Sequence, residues 1–243
     1  MDQAEDVVTA TRLRFNENRR DWLRSARAGH PLAYIIRALP EAIARSFPAL
    51  HLSPGDRLLD FGCADQPYRG LLPSGVVYVG ADIAGNPSAD VELTEAGGLP
   101  LDDASFDAVL STQVLEHVLD PRVYVSECFR VLRPGGRLLL STHGTMVLHR
   151  DPIDLWRWTS DGLRVQLERS GLEIVAFEGV MGLAATGLQL FQDATLGRVP
   201  RWARRPYASL LQAAIAFWDR SESDRARALN ALVYVVVAEK PRG

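Results

Sequence analysis

Apolar residues recur along the chain in short blocks, many β-branched, separated by polar turn-forming clusters. That alternation predicts the elements. "DRLLDFG", "VVYVGADI", "ADVEL", "FDAVLSTQ" and "RLLLSTH" read as strands one to five. "DPRVYVSECFRVL" reads as the helix between strands four and five, and "RPGG" as the turn that follows it. "TSDGLRVQLERSG" predicts a further helix, with Thr159 or Ser160 as its cap and Gly171 as its stop. "LEIVAFEGV" is strand six, and "ALVYVVVAEK" closes the sheet. Residues 1–50 read as helical, in two segments parted by Gly29, His30 and Pro31. Residues 181–230 are helix-prone but interrupted by "GRVPRWARRPY", which suits an inserted helical cap.

Strands alternating with helices predict an α/β fold. The expectation is a Rossmann-like seven-stranded, mostly parallel sheet with helices on both faces and a helical insertion before its last strand. One domain is expected: a helical extension over 1–50, a core over 51–180, the insertion over 181–230 and the closing strand over 231–243. Within the insertion, "LLQAAIAFWDR" sets Leu210, Leu211, Ala214, Ile215 and Trp218 on one broad helix face. Such a face is buried in its own chain or in a homodimer contact.

Composition narrows the partners. The chain has 243 residues, enough for a self-supporting core, and a net charge of -3, which argues against nucleic acid as a general partner. The basic stretch "TRLRFNENRRDWLRSAR" reads as a solvated helix face, and the four arginines of "RVPRWARRPY" as a solvated connector, with a phosphate or membrane surface as the sharper reading. Cys63 and Cys128 have neither metal-site spacing nor a disulfide framework. No metal site is expected, and a reducing, cytoplasmic setting is. The acidic start "MDQAEDVV" shows no secretory signal, and no apolar run is long enough to span a bilayer.

The candidate chemistry begins at "LLDFGCADQPYRGLL". Open α/β sheets bind ligands beyond the carboxyl ends of their strands. Asp60 therefore stands at the crevice, and Gly62 lets the backbone approach a ligand closely. About twenty residues on, Asp82 ends strand two, where an acid accepts hydrogen bonds from ribose hydroxyls. An adenosine-containing ligand follows from the pair. A dinucleotide-binding protein would keep the full G-x-G-x-x-G turn, which this chain lacks.

"LLDFGCA", "VGADI", "LPLDDASFDAVLSTQVLEHVLDP" and "ECFRVLRPGGRLLLSTH", in this order and spacing, resemble the class I S-adenosylmethionine-dependent methyltransferases over residues 57–180. The resemblance implies an antiparallel last strand and S-adenosyl-L-methionine as cofactor. It places Asp60, Gly62, Cys63 and Ala64 in the loop at the methionine end, Asp82 on the ribose, Ile83 against the adenine and Gln113 near the methionine moiety. The family's Gly-x-Gly-x-Gly is here Gly62, Ala64 and Gln66, and Gln66 before Pro67 suggests a turn with a different path. The acid that meets the adenine amino group in the family falls near "ELTEAGGLP", leaving Thr94 or Glu95.

A methyl acceptor belongs over the ends of strands four and five. If the acceptor is a hydroxyl, a base assists. His149 is the first candidate and His143 the second, while His117, inside the shared "LEHV" stretch, reads as structural. "HRDPIDLWRWTSDGL" suggests a lid or acceptor wall: Trp156 offers a stacking face, and Arg157 pairs with an acidic acceptor group or with Asp154. The expected activity is methyl transfer to a small molecule, at a hydroxyl of a sugar or natural product. The alternatives are a quinone or lipid acceptor, or a non-catalytic partner protein that keeps the fold.

Overall fold

The computed structural model describes residues 29–94, 97–150 and 153–242. The first predicted helix and the basic stretch within it lie outside these residues, as does Glu95. The described chain begins with helix α1 (Ala33–Ser46), which leads through a short 3-10 turn to β1 (Arg57–Phe61). Strands β2 (Val77–Asp82), β3 (Val91–Glu92) and β4 (Phe106–Thr112) follow, then helix α2 (Pro121–Val131) and β5 (Leu132–His143). After these come α3 (Ser160–Arg169), β6 (Glu173–Gly182), α4 (Leu183–Leu196), α5 (Arg204–Ser221), α6 (Asp224–Leu229) and β7 (Ala231–Glu239).

All seven strands form one sheet in the order β3-β2-β1-β4-β5-β7-β6. The pairs from β3 to β5 are parallel, and β7 runs antiparallel to both β5 and β6. Strand order reverses between β1 and β4, so the crevice expected of an open α/β sheet opens beyond the ends of those strands. His143 pairs with Val233 and Gly182 with Ala231. The start of β7 and the end of β6 therefore share that edge.

Alternation along the strands divides the core. Leu58, Leu110, Leu139 and Val235 face α1, α4 and α5 through Ile43, Ala185 and Ile215. Leu59, Val109, Leu138 and Leu140 face α2 and α3 through Val125, Cys128, Leu163 and Leu167. Both helices of the second layer start at side-chain caps: Asp120 accepts from Arg122 N, with Pro121 first in the helix, and Thr159 accepts from Gly162 N.

The structure corrects two boundaries and one helix face. The third strand is two residues long, not the five of "ADVEL". "RPGG" is not a free turn but lies within β5, because Gly135 N donates to Lys240 O and Lys240 N to Gly136 O. The expected face of α5 is split: Ile215 is buried with Ala208, Gln212 and Asp219, while Leu210 points outward. Polar tertiary partners set that rotation. Gln212 accepts from Tyr34 N and donates to Pro31 O, and Asp219 accepts from the Tyr34 hydroxyl and from Gly182 N.

Candidate active site

The carboxyl end of β1 is braced before the loop begins. The Phe61 and Tyr124 rings stack at 4.2 Å, and the Tyr124 hydroxyl donates to Phe61 O. Gly62 then turns with φ 84, and a Cβ there would overlap Val114 Cγ2. Ala64 (φ 51) and Gln66 (φ 58) also take the left-handed region. All three positions of the glycine pattern thus keep the conformation glycine favours, at a cost on the order of 1 kcal/mol for each non-glycine residue. Gln66 is held by its side chain, which donates to Ser88 O, and by its backbone N–H to Cys63 O.

Asp60 is buried. Its Oδ2 accepts from the Tyr78 hydroxyl at 2.7 Å, and its Oδ1 is buried with no partner. Burial pushes its carboxyl up to about 7, with the Asp82 charge adding to the effect. An unpartnered buried carboxylate oxygen at a ligand-binding edge fits an ammonium group, such as that of a methionine moiety.

Asp82 closes the loop from the other side. Its Oδ2 accepts from Ala64 N and from Asn86 Nδ2, and its Oδ1 accepts from Ile83 N. A carboxylate offers about four acceptor sites, so roughly one remains for a ribose hydroxyl while Asn86 stays in place. Asn86, overlooked in the sequence, is buried and also donates to Ala64 O. Its signal was faint: one amide side chain in the turn-prone run "AGNPS".

Other predicted cofactor residues stand differently. The Cys63 thiol is buried beneath Gly80, at 2.9 Å from a Cβ added there, so only its backbone is available to a ligand. Thr94 is exposed and organises the turn to Gly98, accepting from Gly98 N. Ile83 is half-buried beside Asp82. Gln113 takes φ 56 and donates to Ser141 Oγ, tying the ends of β4 and β5 together.

Beyond those ends lies a histidine cluster. The rings of His117, His143 and His149 sit 5.9 to 6.3 Å apart. Behind them Glu116 is fully buried, with Oε2 accepting from Thr142 Oγ1 and Oε1 at 3.2 Å from His143 Nε2. Burial pushes the Glu116 carboxyl up to about 7 and holds the His143 imidazole down to about 3, which favours a neutral pair. The His117 ring bonds through Nδ1 to Ile153 O, a structural contact. Nδ1 of His143 and of His149 are buried without partners.

His149 also lines a cavity of about 480 Å³, with Leu32, Met146, Leu196, Leu232 and Arg204 among the other walls. The chain near it is braced by two of the three residues predicted to meet an acceptor, Asp154 and Arg157. Asp154 accepts from His149 N and forms a two-pronged ion pair with Arg157 at 2.5 Å. Arg157 donates as well to the carbonyls of Met146, Val147 and Trp156. All five of its donors are engaged within the chain, and of the two partners the sequence offered Arg157 the structure shows Asp154. Trp156 is similarly committed through Nε1 to Val118 O and stacks on Trp158.

Comparison with known proteins bears on the family and the fold. Residues 59–140 match a family model described as a methyltransferase domain. The chain is 30% identical over 190 residues to the "Ubiquinone biosynthesis O-methyltransferase" of Dinoroseobacter shibae, covering 62% of this chain and 73% of that protein. It is 39% identical over 102 residues to a Mycolicibacterium smegmatis protein named "Probable S-adenosylmethionine-dependent methyltransferase", covering 38% of this chain. The chain spans only 40% of that relative's length. Among solved structures, the [4+2]-cyclase SpnF shares the fold with a TM-score of 0.56 and 23% identity, over 86% of this chain and 82% of the other.

Proposed function

The chain belongs to the class I S-adenosylmethionine-dependent methyltransferase family, and from that premise we propose that it methylates a hydroxyl of a largely apolar small molecule held in the His149 cavity. The observation carrying this reading is the cavity itself: a space walled by Leu32, Met146, Val147, Leu196 and Leu232 that His149 lines together with the polar His30, Gln189, Asp193 and Arg204. The O-methyl transfer named for the Dinoroseobacter relative supports oxygen as the accepting atom. The apolar walls favour a hydroxylated ring or amphiphile over a free sugar. Natural products and quinone-like molecules both fall in that class.

S-adenosylmethionine supplies a methyl group already activated by its sulfonium. The protein's tasks are to hold the acceptor, exclude water and remove a proton. Asp60 and Asp82 with the loop 62–66 would hold the cofactor. His149 takes the acceptor's hydroxyl proton as the new oxygen–carbon bond forms. Asp154 fixes the His149 backbone, and Glu116 with His143 packs behind the imidazole.

The fold alone does not fix the chemistry, since a cyclase shares it. Calorimetry with S-adenosylhomocysteine, using Asp82→Ala as control, tests the cofactor half of the reading. Methyl transfer to a panel of phenols, hydroxylated lipids and sugars tests the acceptor half. The expected result is saturable binding in the wild type, turnover with the apolar acceptors, and a loss of roughly 10²-fold or more in kcat for His149→Ala. Absence of binding by the wild type would return the chain to the class of non-catalytic partners. Unchanged turnover in His149→Ala would remove it as the base.

A further inference from the structure

Helices α4 and α5 form an antiparallel hairpin against the sheet, and its outer face breaks the usual rule for a solvated helix pair. The inner positions of the pair, Ala185, Gln189, Gln192, Ala208, Gln212 and Ile215, are buried. Opposite them on α4 lie Leu183, Gly187, Phe191 and Ala194, and on α5 Pro206, Leu210, Ala213 and Phe217. None of those eight residues carries a charge. Leu183 is 60% exposed, Phe191 55%, Leu210 71% and Phe217 65%. At the tip of the hairpin Trp202 is 85% exposed, in the connector between the two helices. Solvated helices place charged residues on this side. A contiguous apolar face of this kind marks an interaction surface.

The charges at the tip of the hairpin have one sign. Arg198, Arg201 and Arg205 are exposed at the tip beside Trp202. Neither Arg201 nor Arg205 has an ion-pair partner among the described residues. The hairpin's own acids are turned inward: Asp219 accepts from Tyr34 and Gly182, and Asp193 from Gln189. At the far end Asp224 is paired with Arg227. Residues 198–227 hold seven arginines and three acids, in a chain whose net charge is -3.

We propose that this hairpin seats the protein on an anionic lipid surface, with Trp202 and the outer apolar side chains at the headgroup boundary and the tip arginines on lipid phosphates. Tryptophan favours that boundary because its ring is apolar and its N–H is polar. An amphipathic helical surface with an arginine rim binds by apolar burial plus attraction to acidic headgroups. A second copy of the chain fits less well. It would bring the same arginine excess to a self-complementary contact, and among the described residues the acids Asp219 and Asp224 at the hairpin's far end are already engaged by Tyr34, Gly182 and Arg227. The inference is independent of the methyl-transfer reading. It adds one connection to it: the cavity walls Leu196, Gly197 and Arg204 sit at the base of the same tip, so an amphiphilic acceptor would enter from the lipid side.

The test is sedimentation of the full chain with vesicles of equimolar phosphatidylcholine and phosphatidylglycerol, against vesicles of phosphatidylcholine alone. Binding is expected to the anionic vesicles and to weaken with salt. The double variant Arg201→Ala/Arg205→Ala should bind about thirtyfold more weakly. Leu210→Gln/Phe217→Gln should lose binding while circular dichroism and thermal midpoint match the wild type. Equal binding to neutral vesicles, or binding unmoved by both double variants, would overturn the proposal. Light scattering supplies the rival outcome: a dimer in lipid-free solution that Leu210→Gln/Phe217→Gln dissociates would make the face a contact between copies and would likewise overturn it.

Discussion

Asp60 concentrates the residue-scale physics of the cofactor edge. Its carboxyl is held near 7 by burial and keeps one oxygen unpartnered. An ammonium partner would stabilise the charged form, so binding below pH 7 must first release a proton. The affinity for S-adenosylhomocysteine should therefore rise with pH between about 5.5 and 7, approaching tenfold per unit at the acid end. Asp60→Asn should bind more weakly and lose this slope. Calorimetry at three pH values checks both, and a wild-type affinity flat over that range would separate Asp60 from the cofactor. The sequence placed Asp60 and Asp82 because strand ends are legible from hydrophobic blocks. Asn86 and the inward turn of Cys63 were not legible, since each depends on which residue of another strand or loop lies opposite.

At the scale of the element, the segment between β5 and α3 is organised by one ion pair rather than by regular structure. Arg157 joins Asp154 to three carbonyls, so it replaces the backbone pairing that a strand or helix would supply. Truncating it leaves those carbonyls and the Asp154 carboxylate without their donor. Arg157→Ala should raise the acceptor KM severalfold and speed proteolytic cleavage between β5 and α3. S-adenosylhomocysteine binding should stay within about twofold of the wild type, because Asp60 and Asp82 stand on other elements. A parallel loss of cofactor affinity would contradict this division. In the sequence the tryptophans and the arginine stood out as an acceptor wall. That Arg157 spends its donors internally is a matter of tertiary geometry, for Met146 and Val147 lie ten residues or more away along the chain.

For the whole molecule, the pair behind the histidines sets an unusual pH response. The Glu116 carboxyl sits near 7 in the folded protein against an ordinary 4.5. Its contribution to stability is complete below about 4.5 and is lost as pH climbs to 7, because the unfolded chain ionises there and the buried group does not. The loss amounts to about 3 kcal/mol. His143 acts in the opposite sense: its depressed value costs stability as pH falls from 6.5 towards 3. Glu116→Gln does not titrate, so between pH 4.5 and 7 its unfolding free energy should gain on that of the wild type by about 3 kcal/mol. Denaturant unfolding at both pH values measures it. A difference independent of pH would mean that Glu116 is ionised in the folded state.

The sequence by itself determined the layered α/β fold and the two acids at the sheet edge. These follow from local alternation, caps and strand-end positions, which neighbours in the chain specify. Only the tertiary structure decided the rest. The rotation of α5, with Gln212 and Asp219 inward and Leu210 and Phe217 outward, was fixed by Tyr34, Pro31 and Gly182, all distant in the chain. The retention of left-handed backbone at Ala64 and Gln66 was fixed by bonds to Asp82 and Ser88. The physical reason is common to both: a buried polar group goes to whichever partner the fold brings within reach, and hydrophobic periodicity carries no record of that partner.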